Sequence, residues 1–175
     1  MKTHRLMLLF VVLVLLPSGF GVAAGPAPDP LVLQLPNLDG KVEWLTNHKG
    51  KVVLLNFWYT TCPPCRTEVP WFVEFQQRWE KQGFTVIGVS TLDTPSQIRA
   101  FNKQFGVNYP MMVGIDADDA IQKATGGVWG MPTSFLIGRD GKVLHKHVGL
   151  VPRTVLEKEI AQALLANSPR GFARK

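Results

Sequence analysis

Cysteine is scarce in this 175-residue chain: Cys62 and Cys65 are the only two, set as a Cys-x-x-Cys pair. A bridge between them would close a very short loop, and loop-closure gain grows with loop length. Structural stapling is therefore a poor use for the pair, and reversible thiol chemistry a better one. The formal net charge is +6, yet no basic helix and no basic strand studded with aromatics stands out. Nucleic-acid binding is not expected from the basic balance alone. No internal repeat is visible. Gly19-Phe20-Gly21 and Gly25 echo a dinucleotide-binding loop by spacing, but no strand and no ribose-binding acid frame them. The acids after Asp116 lack the loop glycine and the distal glutamate of a calcium loop.

What is present begins with an apolar leader. Met1 to Ala24 reads as an export signal: Lys2 and Arg5, then the apolar core Leu6 to Leu16, then Pro17, Ser18 and Gly19, then the small-residue site Val22-Ala23-Ala24. Its core falls short of the roughly 20 apolar residues that span a bilayer; an uncleaved anchor, counted on through Phe20 and Val22, is the alternative. With no cysteine near that site, a lipid-modified cysteine anchor is excluded. Removing the leader takes two positive charges and leaves a net charge of +4 (6 − 2). Residues 25–30, Gly-Pro-Ala-Pro-Asp-Pro, read as a stiff linker. Residues 31–166 make one domain, and 167–175 a flexible basic tail.

Within the domain, Leu31 to Leu35 and Lys41 to Leu45 read as short strands around a Pro36–Gly40 turn. Lys51 to Trp58 and Phe84 to Val89 are nearly unbroken apolar runs, as expected of strands buried on both faces. The helix after Cys62 brings Val69, Phe72, Val73 and Trp79 to one face, ends at Gly83, and should kink at Pro70. Thr94-Pro95 opens a helix closed by Gly106. Tyr109 to Ile115 is expected as a strand and Asp116 to Thr125 as a short helix. Thr133 to Ile137 and Lys142 to Val148 form a hairpin, and Arg153 to Ala166 the last helix. Strands alternating with helices, then a hairpin and a helix, give an α/β sandwich around a mixed sheet. Cys62 then lies at the carboxyl end of a central strand, where functional groups concentrate in such folds.

A thiol attacks only as thiolate, and a helix N-terminus favours that form through its free N–H groups and dipole. Pro63 and Pro64 carry no N–H, so the first donors open to Cys62 are those of Cys65 and Arg66. No histidine lies between the cysteines. Weak thiolate stabilisation tilts such a couple toward a reductant. Position makes Cys62 the attacking sulfur, and Cys65, one turn into the helix, the more buried resolving one. Resolution needs a base. Glu68, three residues on, is either a partly buried carboxylate that takes the Cys65 proton or a solvated first-turn acid.

Residues 31–166 resemble the thioredoxin-like fold, specifically the exported thiol–disulfide oxidoreductases of the TlpA, ResA and CcmG type. The matching pieces are Asn56-Phe57-Trp58, Cys62-Pro63-Pro64-Cys65, Glu68-Val69-Pro70 and Gly127 to Ile137. Thr91 to Ala124 is similar to that family's central insertion, and residues 31–45 supply an N-terminal β-hairpin. The resemblance implies a cis Pro132 facing the cysteines and an acid role for Glu68. It implies a periplasmic location, protein disulfide clients such as apocytochrome c, and a membrane thiol–disulfide protein as electron donor. Trp58, Met131, Pro132 and Thr133 are the expected client-binding residues; no cofactor and no metal is expected. Departures are Thr61 where the family has tryptophan, Asn56 where thioredoxin has a buried aspartate, and Thr133 where cytochrome-specific relatives carry glutamate. Rival readings are a disulfide oxidase or isomerase, a zinc site combining the cysteines with histidines such as His145 and His147, and a copper carrier using both thiols with a histidine or Met111 and Met112. Those two histidines otherwise read as the exposed face of a hairpin. Leu55 and Tyr59 stand where a thiol peroxidase has proline and threonine, so that activity is not expected.

Overall fold

The structure, a computed structural model, describes residues 28–166. The expected leader at 1–24 and the basic tail at 167–175 lie outside the described residues.

Two apolar runs make the centre of the molecule. Strands β3 (Val52–Trp58) and β4 (Phe84–Ser90) are buried along their whole length and pair in parallel, Val52 opposite Phe84 through Trp58 opposite Ser90. β5 (Met111–Val113) continues the sheet in parallel beyond β4. On the other side of β3 lie β6 (Thr133–Ile137) and β7 (Val143–Val148), both antiparallel, for a spatial order of β5-β4-β3-β6-β7. β1 (Gln34–Pro36) and β2 (Val42–Trp44) form a separate hairpin. This is the mixed-sheet α/β sandwich that the alternation of elements implied.

Strand alternation divides the core into two layers. Val52, Leu54 and Trp58 pack with α1 (Pro63–Trp79), α2 (Pro95–Phe105) and α4 (Arg153–Ala166) on one face. Val53, Leu55 and Phe57 pack on the other with α3 (Asp118–Thr125) and the N-terminal leucines Leu31, Leu33 and Leu35. Aromatic rings tie the first layer: Trp79 lies 5.3 Å from Phe75 and 5.9 Å from Phe84, contacts worth about 0.5–1.5 kcal/mol each beyond their burial. Gly88 lets side chains of both neighbouring strands close over β4, since a Cβ there would lie 2.4 Å from Met111 Sδ and 3.1 Å from Trp58 Nε1.

Local signals set most helix ends. Thr94 and Gln97 form the reciprocal capping box of α2, and Gly106 ends it at φ 64°. α1 runs unbroken through Pro70, which is exposed. The differences from expectation sit at the edges. Pro30–Val32 is a 3₁₀ turn rather than strand, because the Asp29 carboxylate accepts the Leu31 N–H at 3.1 Å and starts a turn there. Pro30 is buried, so the expected linker already belongs to the domain at its final residue. The strand expected over 109–115 pairs only at Met111–Val113.

Candidate active site

The chain leaves β3 at Trp58, turns through Thr60 and Thr61, and enters α1 with Cys62 as its N-cap. Pro63 and Pro64 fill the first helical positions, where a missing N–H costs nothing. The Cys65 N–H donates to Cys62 Sγ at 3.3 Å, while Arg66 N–H goes to the Cys62 carbonyl at 3.1 Å. One of the two donors expected for the sulfur therefore reaches it. The sulfurs are joined in a disulfide, with 5.3 Å between the Cα atoms. Both cysteines are 1% exposed, which corrects the expectation that Cys65 would be the more buried of the two. Tyr59, Met131 and Val151 pack against the apolar cluster that includes both sulfurs.

The approach to Cys62 is pinned by a polar network that sequence reasoning missed. Asp93, 5% exposed, accepts the Thr60 N–H at 2.7 Å and the hydroxyls of Thr60 and Ser90 at 2.6 Å each. From the helix side, Arg66 Nη1 donates to the Thr60 carbonyl at 3.0 Å, its guanidinium lying over Phe105. The acid-hydroxyl pattern Ser90-x-x-Asp93 was the available signal, but its partner at Thr60 lies 33 positions away.

Glu68 is 1% exposed, so it is the buried carboxylate rather than the solvated first-turn acid. Burial pushes its pKa from 4.5 up to about 7, partly offset by the Val151 N–H and the Asn56 amide. Asn56 Nδ2 stands 3.5 Å from Glu68 Oε2 and donates to Ser134 Oγ at 3.0 Å. Tyr109, 7% exposed, is held in its neutral form by burial and then by the Glu68 charge. At neutral pH this carboxyl is poised to take or give a proton. Neither Tyr109 nor Val151 was legible as a neighbour of Glu68, since each arrives from a distant segment.

Met131–Pro132 is a cis peptide, as the family pattern implied. The four expected client-binding residues divide. Trp58 is 1% exposed, its ring 4.6 Å from Phe101; ending a strand buried on both faces, it supports the site from within rather than facing a client. Thr133 is fully buried and its hydroxyl donates to the Gly130 carbonyl. The Pro132 carbonyl accepts the Gly149 N–H at 2.7 Å. Met131 is half-buried at the surface, and beside it lies a groove of about 310 Å³ lined by Tyr59, Leu92, Ile115, Gln122, Val128 and Met131. Nearby in the chain, Trp129 is 81% exposed.

The metal alternatives fare differently. The one group of three metal-type side chains among the described residues is His145, His147 and Glu159, with neither cysteine in it. Met111 and Met112 face opposite core layers, so they do not converge on one ion.

A buried Cys-x-x-Cys disulfide at a helix start, with a buried acid one turn further along the same helix and a cis-proline loop, defines a thioredoxin-like dithiol protein. Comparison with known proteins agrees: the Redoxin family matches residues 23–165, and the chain belongs to that family. The thiol-disulfide oxidoreductase ResA of Geobacillus thermodenitrificans is 32% identical over 181 residues, covering 96% of this chain and 99% of that one. ResA of Bacillus anthracis is 34% identical over 170 residues, 90% of this chain and 95% of the relative. Among solved structures, a thioredoxin-family thiol:disulfide interchange protein from Chlorobium tepidum TLS superposes with a TM-score of 0.68 at 32% identity, covering 81% of this chain and 99% of that one. The protein is a thiol–disulfide oxidoreductase.

Proposed function

We propose that this enzyme is exported and reduces disulfides of extracytoplasmic proteins, apocytochrome c among the client classes. The Cys62 thiolate attacks a client disulfide, forming a mixed disulfide and releasing one client sulfur as thiolate. Cys65 loses its proton to Glu68 and attacks Cys62 Sγ, releasing the second client sulfur. The client gains two electrons and the Cys62–Cys65 disulfide closes. A membrane thiol–disulfide protein returns the electrons. Clients lie along the groove beside Met131 and Tyr59, with the cis-Pro132 loop as its wall.

The observation that carries this reading is the buried Glu68 carboxyl, its pKa raised to about 7. A group of that pKa exchanges protons at neutral pH, as a resolving thiol requires. Reduction rather than oxidation is supported by the single N–H on Cys62 Sγ and the lack of histidine between the cysteines, since strong thiolate stabilisation is what makes such couples oxidising. Export rests on the leader motif; among the described residues no helix is long and apolar enough to cross a membrane.

Cys65→Ala tests the exchange mechanism: it should accumulate client adducts through Cys62 that dithiothreitol releases, and a lack of such adducts would sink it. Equilibration in defined thiol buffers tests direction. A potential near or below about −270 mV marks a reductant, and one near about −120 mV a disulfide donor.

A further inference from the structure

His145 and His147 alternate along β7, so both rings leave the same face of the edge strand. The rings are nearly parallel, at 4°, with centroids 6.1 Å apart. Glu159 of α4 reaches back to both: one carboxylate oxygen lies 2.8 Å from His147 Nε2 and the other 3.5 Å from His145 Nδ1. One donor atom from each residue falls within 4.8 Å of the others. We infer that His145, His147 and Glu159 bind a divalent transition-metal ion of the zinc class, at a site separate from the dithiol.

The donor set is chemically apt. Two imidazole nitrogens and one carboxylate oxygen suit Zn²⁺ and its neighbours, and three protein ligands leave a fourth position for water. Bonds of about 2.0–2.2 Å in a tetrahedron place donors roughly 3.3–3.6 Å apart, inside the 2.8–4.8 Å range the side chains already span. The environment is half-dry: the side chains of His147 and Glu159 are 19% and 14% exposed, while His145, at 43%, leaves a path from solvent. Lys146, between the histidines, points to the opposite face, with Nζ on the Gly127 carbonyl at 2.7 Å and over the Phe135 ring. Its charge therefore does not stand against a cation. Fully buried Ile160 anchors α4 next to Glu159, which fixes the carboxylate's approach. An ion here ties β7 to α4 on either side of the segment that carries Val151.

The test is calorimetric titration of the untagged full chain with ZnCl₂, its Cys62–Cys65 disulfide kept closed so that no thiol can act as ligand. One saturable site per chain is expected, accompanied by a rise in Tm. His145→Ala, His147→Ala and Glu159→Gln should each weaken binding at least about tenfold, the low end of what even outer-shell partners cost. His48→Ala should leave it unchanged. His145 is the most exposed of the three, so its variant remains decisive if His147→Ala fails to fold. Lack of saturable binding up to millimolar zinc, or an affinity that the ligand variants leave unchanged, would overturn the inference. Because the dithiol stays closed, neither result bears on the exchange mechanism.

Discussion

Glu68 should make the stability of the oxidised protein fall as pH rises. Its carboxyl titrates near 4.5 when hydrated and at about 7 in the folded protein, because burial disfavours the charge. Below about pH 4.5 the folded and unfolded chains both hold the proton, so the group costs nothing. Between there and about pH 7 the native state holds a proton that the unfolded chain has released, and stability declines. Above about pH 7 the full penalty is in place. A gap of roughly 2.5 pH units at about 1.36 kcal/mol each makes that penalty about 3 kcal/mol. Glu68→Gln removes the charge and keeps an acceptor for the Val151 N–H. Urea unfolding of wild type and variant should therefore agree near pH 4.5 and diverge to about 3 kcal/mol in favour of the variant near pH 8. The same substitution should slow release of a trapped mixed disulfide by about 10²–10⁴-fold, the usual contribution of a general base. A stability difference that is flat between pH 5 and 8, or of opposite sign, would refute the raised pKa, and with it the reason for assigning Glu68 the proton.

Two further expectations follow from the neighbours of the cysteines. Asp93→Ala leaves the buried Ser90 hydroxyl and the half-buried Thr60 N–H and hydroxyl without their acceptor; urea unfolding should show a loss of about 1–3 kcal/mol, with Asp93→Asn recovering part of it. A loss below about 0.5 kcal/mol would mean water replaces the carboxylate at no cost. Asn56→Asp places a second carboxyl beside Glu68, where like charges share a proton and titrate as a pair. The pH window over which stability falls should extend upward by at least about one unit, read from the same unfolding series; an unchanged midpoint would show that the two groups are not coupled.

The elements were legible where local chemistry decides them. Continuous apolar runs marked β3 and β4, Thr94, Gln97 and Gly106 bounded α2, and Cys62-Pro63-Pro64 announced the start of α1. These signals act within one turn or one strand, so they survive in a one-dimensional reading. Weak signals failed where a single side chain overrode them, as Asp29 did by starting a turn at Leu31. Pro132 was identifiable only through family likeness, because its isomer depends on surroundings that its own dipeptide does not specify.

The sequence by itself determined the chemistry available to this protein: two thiols at a helix start, one acid a turn away, and a place for them at the carboxyl end of a central strand. Tertiary structure decided how that chemistry is tuned. The Glu68 carboxyl titrates near neutrality because the fold buries it, a rise only partly offset by the N–H of Val151 from the β7–α4 connection and the amide of Asn56 from β3. Trp58 was turned into support, and Met131 left at the rim, by which face of the sheet each segment met. Glu159 joined His145 and His147 only when α4 folded back over the edge strand. Solvation and the field at a charged group depend on everything within a few ångströms, and that neighbourhood is assembled from residues far apart in the chain.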